Sequence, residues 1–460
     1  MRPRRVLTTC ALALALAGCT PDQAARPTPT ADLRPTARPT ARPARSQLGG
    51  SDARLATRLP GQVEQVAVTV SPDGWPVLSA LAYWNFSPDP ARVYAQVYDP
   101  DAHRWGPMVQ LDIGASSLGS DAFHGAALAV TPQGTIWAAW GASDGDGGIW
   151  ASSSSDYGRS WSAPERLNTG CWHVSSAAAT PDGQLIILAM CVHGSRDQNG
   201  AGPTILTRTP AGQWLPPQRI EVVAWEGALV VSGDQILGLV LPHLGGDRPR
   251  WGYIISRELA DPRAGWQTQL VSLAPAGVEA EALGLYGWHL QGTAIAGGAL
   301  FTWAGYDRPS AFALVVRDGQ VQPARAIIAG TEPSRDRQRS VWYAAPAYDP
   351  ASDRLAALWA CCGSPLDHKP STQYGAWAAP GGVWQAALSE EAAQAEGVPL
   401  ALGGRQVEAL SAAQAAGSRT VWVAWVEGGQ EVVVRSLPID QLVPPAEEPT
   451  PTPEPTEVAP

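Results

Sequence analysis

Thr131-Pro-Gln-Gly-Thr-Ile-Trp-Ala-Ala-Trp140 holds the pattern that decides the fold. Pro at the second position and Gly at the fourth make a tight turn. The turn leads into a short apolar strand that ends in an aromatic residue. That strand recurs at Pro76–Trp84, Leu185–Cys191, Ile236–Leu241, Ala299–Trp303, Leu355–Trp359 and Thr420–Trp425, seven copies in all. The period is roughly 50–65 residues, within the range of repeat architectures.

Each copy follows a first strand, often through a similar turn such as Ser71-Pro-Asp-Gly74 or Thr180-Pro-Asp-Gly183. A third strand comes next, as at Val93–Tyr98 and Glu431–Arg435. In five units another turn then leads to Trp105, Trp161, Trp214, Trp266 or Trp384. Four antiparallel strands per unit, repeated about an axis, make an all-β propeller. Seven copies predict seven four-stranded blades, and six stay open if one weak unit is an insertion. Two β-sandwiches would leave the regular Trp-after-turn pattern without a cause. The last unit has no evident fourth strand after Pro438, and residues 53–59 are placed to supply it.

The ends differ from this domain. Arg2, Arg4 and Arg5 precede an apolar stretch, Val6–Ala17, too short to span a bilayer. It closes in Leu16-Ala17-Gly18-Cys19, which resembles the lipobox of bacterial lipoproteins. The resemblance implies a signal over 1–19, lipid on Cys19 and an extracytoplasmic protein held to the cell envelope through that lipid alone. Residues 20–50 form a Pro/Thr/Arg linker, 51–442 the propeller and 443–460 a Pro/Thr/Glu tail. Both flanks lack the apolar residues needed for a core and read as disordered.

The formal charge is −10. Residues 1–50 contribute +6 and 441–460 contribute −4, which leaves −12 on the domain. An acidic domain argues against nucleic acid as a partner. A monomer without cofactor is expected.

Ser154-Ser-Asp156-Tyr-Gly158-Arg-Ser-Trp161 resembles the Asp box, Ser-x-Asp-x-Gly-x-x-Trp, of the sialidase superfamily. Ser154, Asp156, Gly158 and Trp161 match it. The motif is a folding device on the face away from a sialidase active site. Thr57-Arg58-Leu59-Pro60 is similar to the x-Arg-x-Pro motif that precedes the first sialidase blade. A sialidase would also need two more arginines, an acid and a Tyr nucleophile beside a Glu. The candidates are Arg308 and Arg339, Asp89 as acid, and Tyr343 with Glu226 or Glu281. Whether the chain is an enzyme stays open on these residues.

In a propeller, first strands begin and second strands end on one face. Placed there by the repeat are Trp84, Trp140, Trp172, His173, Trp288, His289, Trp303 and Trp342. Aromatic rings and a few polar groups suit sugar binding. The competing role for each Trp is packing between blades. His173, His193 and His243 lack the close spacing of a metal site. Cys171 and Cys191 flank one hairpin and are expected to pair, and Cys361-Cys362 are expected to form a vicinal bond unless they stay thiols or exchange partners. Three functions follow: a surface-anchored propeller binding glycan or another polymer through an aromatic funnel, an exo-sialidase-type hydrolase, or a scaffold for protein partners.

Overall fold

The computed structural model describes residues 55–83, 91–112, 126–142, 148–168, 170–192, 201–242, 250–275, 278, 287–305, 310–328, 341–361, 382–388, 398–400 and 407–442. The chain enters on β1 (Leu55–Arg58) and then builds sheets in succession. The first holds β2 (Gln62–Val70), β3 (Pro76–Tyr83), β4 (Arg92–Asp99) and β5 (Arg104–Trp105), with β6 (Val109–Gln110) also on β4. The second holds β7 (Ala127–Val130), β8 (Ile136–Ala142), β9 (Gly148–Ser154) and β10 (Glu165–Asn168). The third holds β11 (Cys171–Ala179), β12 (Leu185–Val192), β13 (Ala201–Arg208) and β14 (Gln218–Arg219). The fourth holds β15 (Glu226–Ser232), β16 (Gln235–Leu241), β17 (Trp251–Glu258) and β18 (Gln267–Ser272). In the fifth are β19 (Gly287–Ile295), β20 (Gly298–Gly305), β21 (Ala311–Arg317) and β22 (Gln320–Val321), with β23 (Arg325–Ile328) also on β21. In the sixth are β24 (Val341–Asp349), β25 (Arg354–Cys361), β26 (Gly382–Leu388) and β27 (Val398–Leu400). β28 (Val407–Gln414), β29 (Thr420–Glu427) and β30 (Glu431–Pro438) form the last sheet, completed by β1, and α1 (Ile439–Leu442) follows.

All seven repeated apolar segments of the sequence are second strands: β3, β8, β12, β16, β20, β25 and β29. A second strand has a neighbouring strand on each side and a neighbouring sheet on each face. It therefore carries apolar residues continuously instead of alternately. In β8 and β20 every residue is buried. The turns into these strands share one geometry. The N–H groups of Gly74, Gly134 and Gly183 donate to the carbonyls of Ser71, Thr131 and Thr180 at 2.9, 2.8 and 2.9 Å. The same three hydroxyls accept the N–H of Trp75, Thr135 and Gln184. Each Gly has φ between 83° and 91°, which explains its place in the repeat.

The first strands β2, β7, β11, β15, β19, β24 and β28 are neighbours in that order, and β28 returns to β2. The ring is a β-propeller, closed where Leu55–Arg58 pairs with Glu431–Val434. The sequence expectation for residues 53–59 is met by β1. Six of the seven first strands line a channel of about 620 Å³ along the axis, and β24 stands back from it. Gln291 of β19 reaches past β24, donating to the Leu410 carbonyl at 3.0 Å and accepting the Ala412 N–H at 3.3 Å. Seven sheets thus surround a six-stranded channel wall.

The Ser154–Trp161 turn joins β9 to β10. Ser154 Oγ donates to Asp156 Oδ1 at 2.9 Å and accepts the Gly158 N–H at 2.9 Å. Asp156 also accepts the Ser160 N–H and hydroxyl, at 2.9 and 2.5 Å. Gly158 has φ 74°, and a Cβ there would lie 2.5 Å from Val97 Cγ2 of the preceding sheet. Arg159 pairs with Asp99 across the same junction. Burial opposes charge on Asp156, yet the hydrogen bonds from Ser160, Ser154 and the Arg159 backbone outweigh it and hold the carboxyl below the usual carboxylate range. Asp99, Asp182 and Asp349 are lowered in the same manner, burial being outweighed by local hydrogen bonds. All four stand at the strand-turn face, opposite the starts of the first strands.

Cys171 and Cys191 are cross-strand partners on β11 and β12 and form a disulfide. Cys361 ends β25, while Cys362 and Cys19 lie outside the described residues.

Two outcomes follow. A native carboxyl held below its unfolded value stabilises the fold above the unfolded pKa, about 3.9 for Asp. That contribution is lost as pH falls through the lower native value. The unfolding midpoint, measured by calorimetry from pH 6 to 2, should therefore drop below about pH 4, and Asp156→Asn should flatten that drop. Replacing Cys171 and Cys191 together by Ala should cost about 2–4 kcal/mol in urea unfolding.

Candidate functional site

The first strands converge on the axis at their starting end, and there their ladders break. Five of the seven carry a register shift: between Val63 and Gln65, Cys171 and His173 (again between Val174 and Ser176), Trp288 and Gln291, Val341 and Tyr343, and Val407 and Leu410. A bulge puts an extra residue on one strand, bends it and re-aims side chains. Here the bulges face one another around the axis. His289 lies inside the β19 bulge with φ 49°, a left-handed conformation costly for a residue with a Cβ.

Within this ring is a cavity of about 120 Å³, to which all seven first strands contribute. Its polar wall includes Gln65, Ser175, Glu226, His289, Gln291 and Tyr343. Glu226 and Tyr343 are 3 % and 4 % exposed. The His289 and Tyr343 rings stack at 4.1 Å with 28° between planes. Ser175, Gln291 and Ser411 line both this cavity and the axial channel, so they mark the junction of the two. Among the described residues lining the cavity, Glu226 carries the acidic group and no arginine is present.

His173 stands one strand turn above. It is 4 % exposed, and its Nε2 lies 2.8 Å from Ser175 Oγ. Trp172, half-buried, packs against Trp225 at 5.4 Å between ring centroids. Gly141 makes this packing feasible, since a Cβ there would sit 2.0 Å from the Trp172 carbonyl oxygen.

Several residues expected at the funnel are elsewhere. Trp140 and Trp303 are 0 % and 3 % exposed and belong to the apolar cores between sheets. They take the packing role because the end of a second strand still has a sheet on each face. Arg58 ends β1, the outermost strand of its sheet, and its Nε and Nη2 donate to Gln430 Oε1 at 3.0 and 2.5 Å. It lines neither axial cavity. Trp288 and Trp342 lie in β19 and β24, with side chains outside the described residues. Trp84, Asp89, Glu281, Arg308 and Arg339 lie outside them altogether, as do His193 and His243. Among the described residues, no group of three or more His, Cys, Asp or Glu is placed to hold a metal ion.

Of the candidates, the structure brings Glu226, His289 and Tyr343 to one cavity. Gln65, Ser175, Gln291 and Ser411 join them without having been singled out from the sequence. Polar residues starting otherwise apolar strands were the available signal.

No family model matches the chain, and no curated protein matches it. Solved structures that are similar include a protein of unknown function from Dyadobacter fermentans (TM-score 0.44, 12 % identity, 84 % of this chain and 98 % of that one). The α-L-arabinofuranosidase Arb93A of Fusarium graminearum is similar at TM-score 0.44 and 11 % identity, over 86 % of this chain and 100 % of that one. Trypanosoma rangeli sialidase in complex with the inhibitor DANA is similar at TM-score 0.41 and 12 % identity, over 66 % of this chain. The match spans 53 % of the sialidase. Likenesses of this size concern the course of the chain and carry nothing about its site.

Proposed function

We propose that the chain is an envelope-anchored, extracytoplasmic propeller that binds glycan at its axial mouth. The observation that carries this reading is the 120 Å³ cavity ringed by the bulged starts of the first strands. Its wall alternates amide, hydroxyl, imidazole and phenol groups with one carboxylate. Such a set matches the hydroxyls along one edge of a sugar, each able to donate and to accept. His289, stacked on the buried Tyr343 and itself half-buried, offers its imidazole ring to a CH face. Lipid on Cys19 and the Pro/Thr/Arg linker would hold this mouth at the cell surface, where polymers are met.

Sialidase-type hydrolysis is the second reading, favoured by one observation. Glu226 and Tyr343 line the same cavity. A carboxylate beside a phenol is the pairing that lets Tyr act as nucleophile, sialidases being exceptions to the two-carboxylate scheme.

A glycan array with the purified chain, followed by calorimetric titration of the strongest oligosaccharide, tests the first reading. Gln291→Ala and His289→Ala should each weaken binding about tenfold, equivalent to about 1.4 kcal/mol. A folded protein that binds no glycan would overturn it. Release of a fluorogenic group from an α-sialoside tests the second. Turnover lost in both Tyr343→Phe and Glu226→Gln would establish hydrolysis, and its absence in the folded chain would exclude that reaction for this substrate.

A further inference from the structure

Ser175 has a chemical setting that sugar binding does not require. In β11 the ladder pairs Val174 with Ala189 and Ser176 with Leu188, so Ser175 is the residue extruded by the bulge. Its neighbour Ser176 accepts the Leu229 N–H of the next sheet and lines only the channel. Ser175 lines both cavities. Its Oγ lies 2.8 Å from His173 Nε2, within the distance at which a nucleophile and its base share a proton. The imidazole is nearly buried and packed edge-on to Trp172 at 6.3 Å. Two residues before it, the Cys171–Cys191 bond clamps the start of the same strand. The base is thereby held by the fold, beside a serine that lines both cavities.

We propose that Ser175 and His173 form a nucleophile–base pair that transfers small acyl groups from esters to water. With the imidazole proton on Nδ1, Nε2 accepts the Ser175 proton as Oγ attacks the ester carbonyl carbon. The C–O bond to the alcohol breaks, and His173 returns the proton to the departing oxygen. Water then attacks the acyl-serine, His173 takes its proton, and the carboxylic acid leaves as Ser175 regains a hydrogen. No oxidant or further reactant is needed. A cavity of about 150 Å³ holds benzene, so the 120 Å³ here has room for an acetyl group.

The proposal does not depend on glycan recognition, because the probes contain no sugar. The intact purified chain is treated with methanesulfonyl fluoride, which sulfonylates an activated serine and releases fluoride, and the labelled peptide is mapped by mass spectrometry. The expected label is on Ser175. It should vanish in Ser175→Ala, slow at least about 100-fold in His173→Gln, the lower range for general-base assistance, and be unaffected by Ser160→Ala on the opposite face. With p-nitrophenyl acetate, a nitrophenol burst and an acetylated Ser175 are expected. Ser175→Cys guards against a misfolded variant: iodoacetamide should alkylate it faster with His173 present than in the His173→Gln background. No label on the folded chain, or Ser175 labelling at equal rates with and without His173, would overturn the proposal. Glycan titration on the same preparation reports separately on the mouth.

Discussion

The pairing of β1 with β30 is the contact on which the rest of the structure depends. Each sheet packs chiefly on the sheets before and after it, so a linear stack would leave two open ends. Leu55–Arg58, from the start of the domain, completes the sheet built by its last strands. Closure abolishes those ends and forces seven first strands to meet at one axis. The cavity is a consequence. Gln65 of the first sheet and Ser411 of the last share its wall only because β28 lies beside β2.

Convergence at an axis also constrains composition. The channel wall is mostly Ala, Ser, Thr and Val, with three Leu and two Gln among them, because many large side chains would collide where the strands draw together. Seven strands are more than this wall holds at its lower end. β24 stands back and Gln291 bridges β19 to β28 in front of it. At the upper end β24 rejoins the wall through Tyr343. The sequence showed seven equivalent repeats and could not show this inequality, because it arises from packing around the closed ring.

Much of the architecture was legible because one physical demand repeats. Second strands are buried on both faces and therefore read as continuous apolar runs. Tight turns need Gly at positive φ and so mark their own positions. The Cys171–Cys191 pairing was legible too, since folding the hairpin about Thr180–Gly183 sets the two opposite each other. The mouth was far less readable. Trp140 and Trp303 end strands just as binding aromatics would, but composition cannot say whether a ring faces a neighbouring sheet or a funnel. Ser175 and Gln291 are ordinary polar residues in strands, given their place by register shifts that alternation patterns do not encode.

The two faces divide two physical tasks. At the turn face, Asp99, Asp156, Asp182 and Asp349 are charged and satisfied by nearby donors, which fixes the loops and joins one sheet to the next. At the mouth, ladder hydrogen bonding is interrupted and His289 adopts a left-handed backbone. Such a conformation persists only when its surroundings over-determine it. Here the stack on Tyr343 and the Gln291 bridge hold the residue and its neighbour in place. Local strain at the mouth is thus compatible with a stable ring because closure and the turn-face network are built from separate residues. The same separation lets mouth chemistry change by a single bulge, without disturbing the repeat that makes the fold.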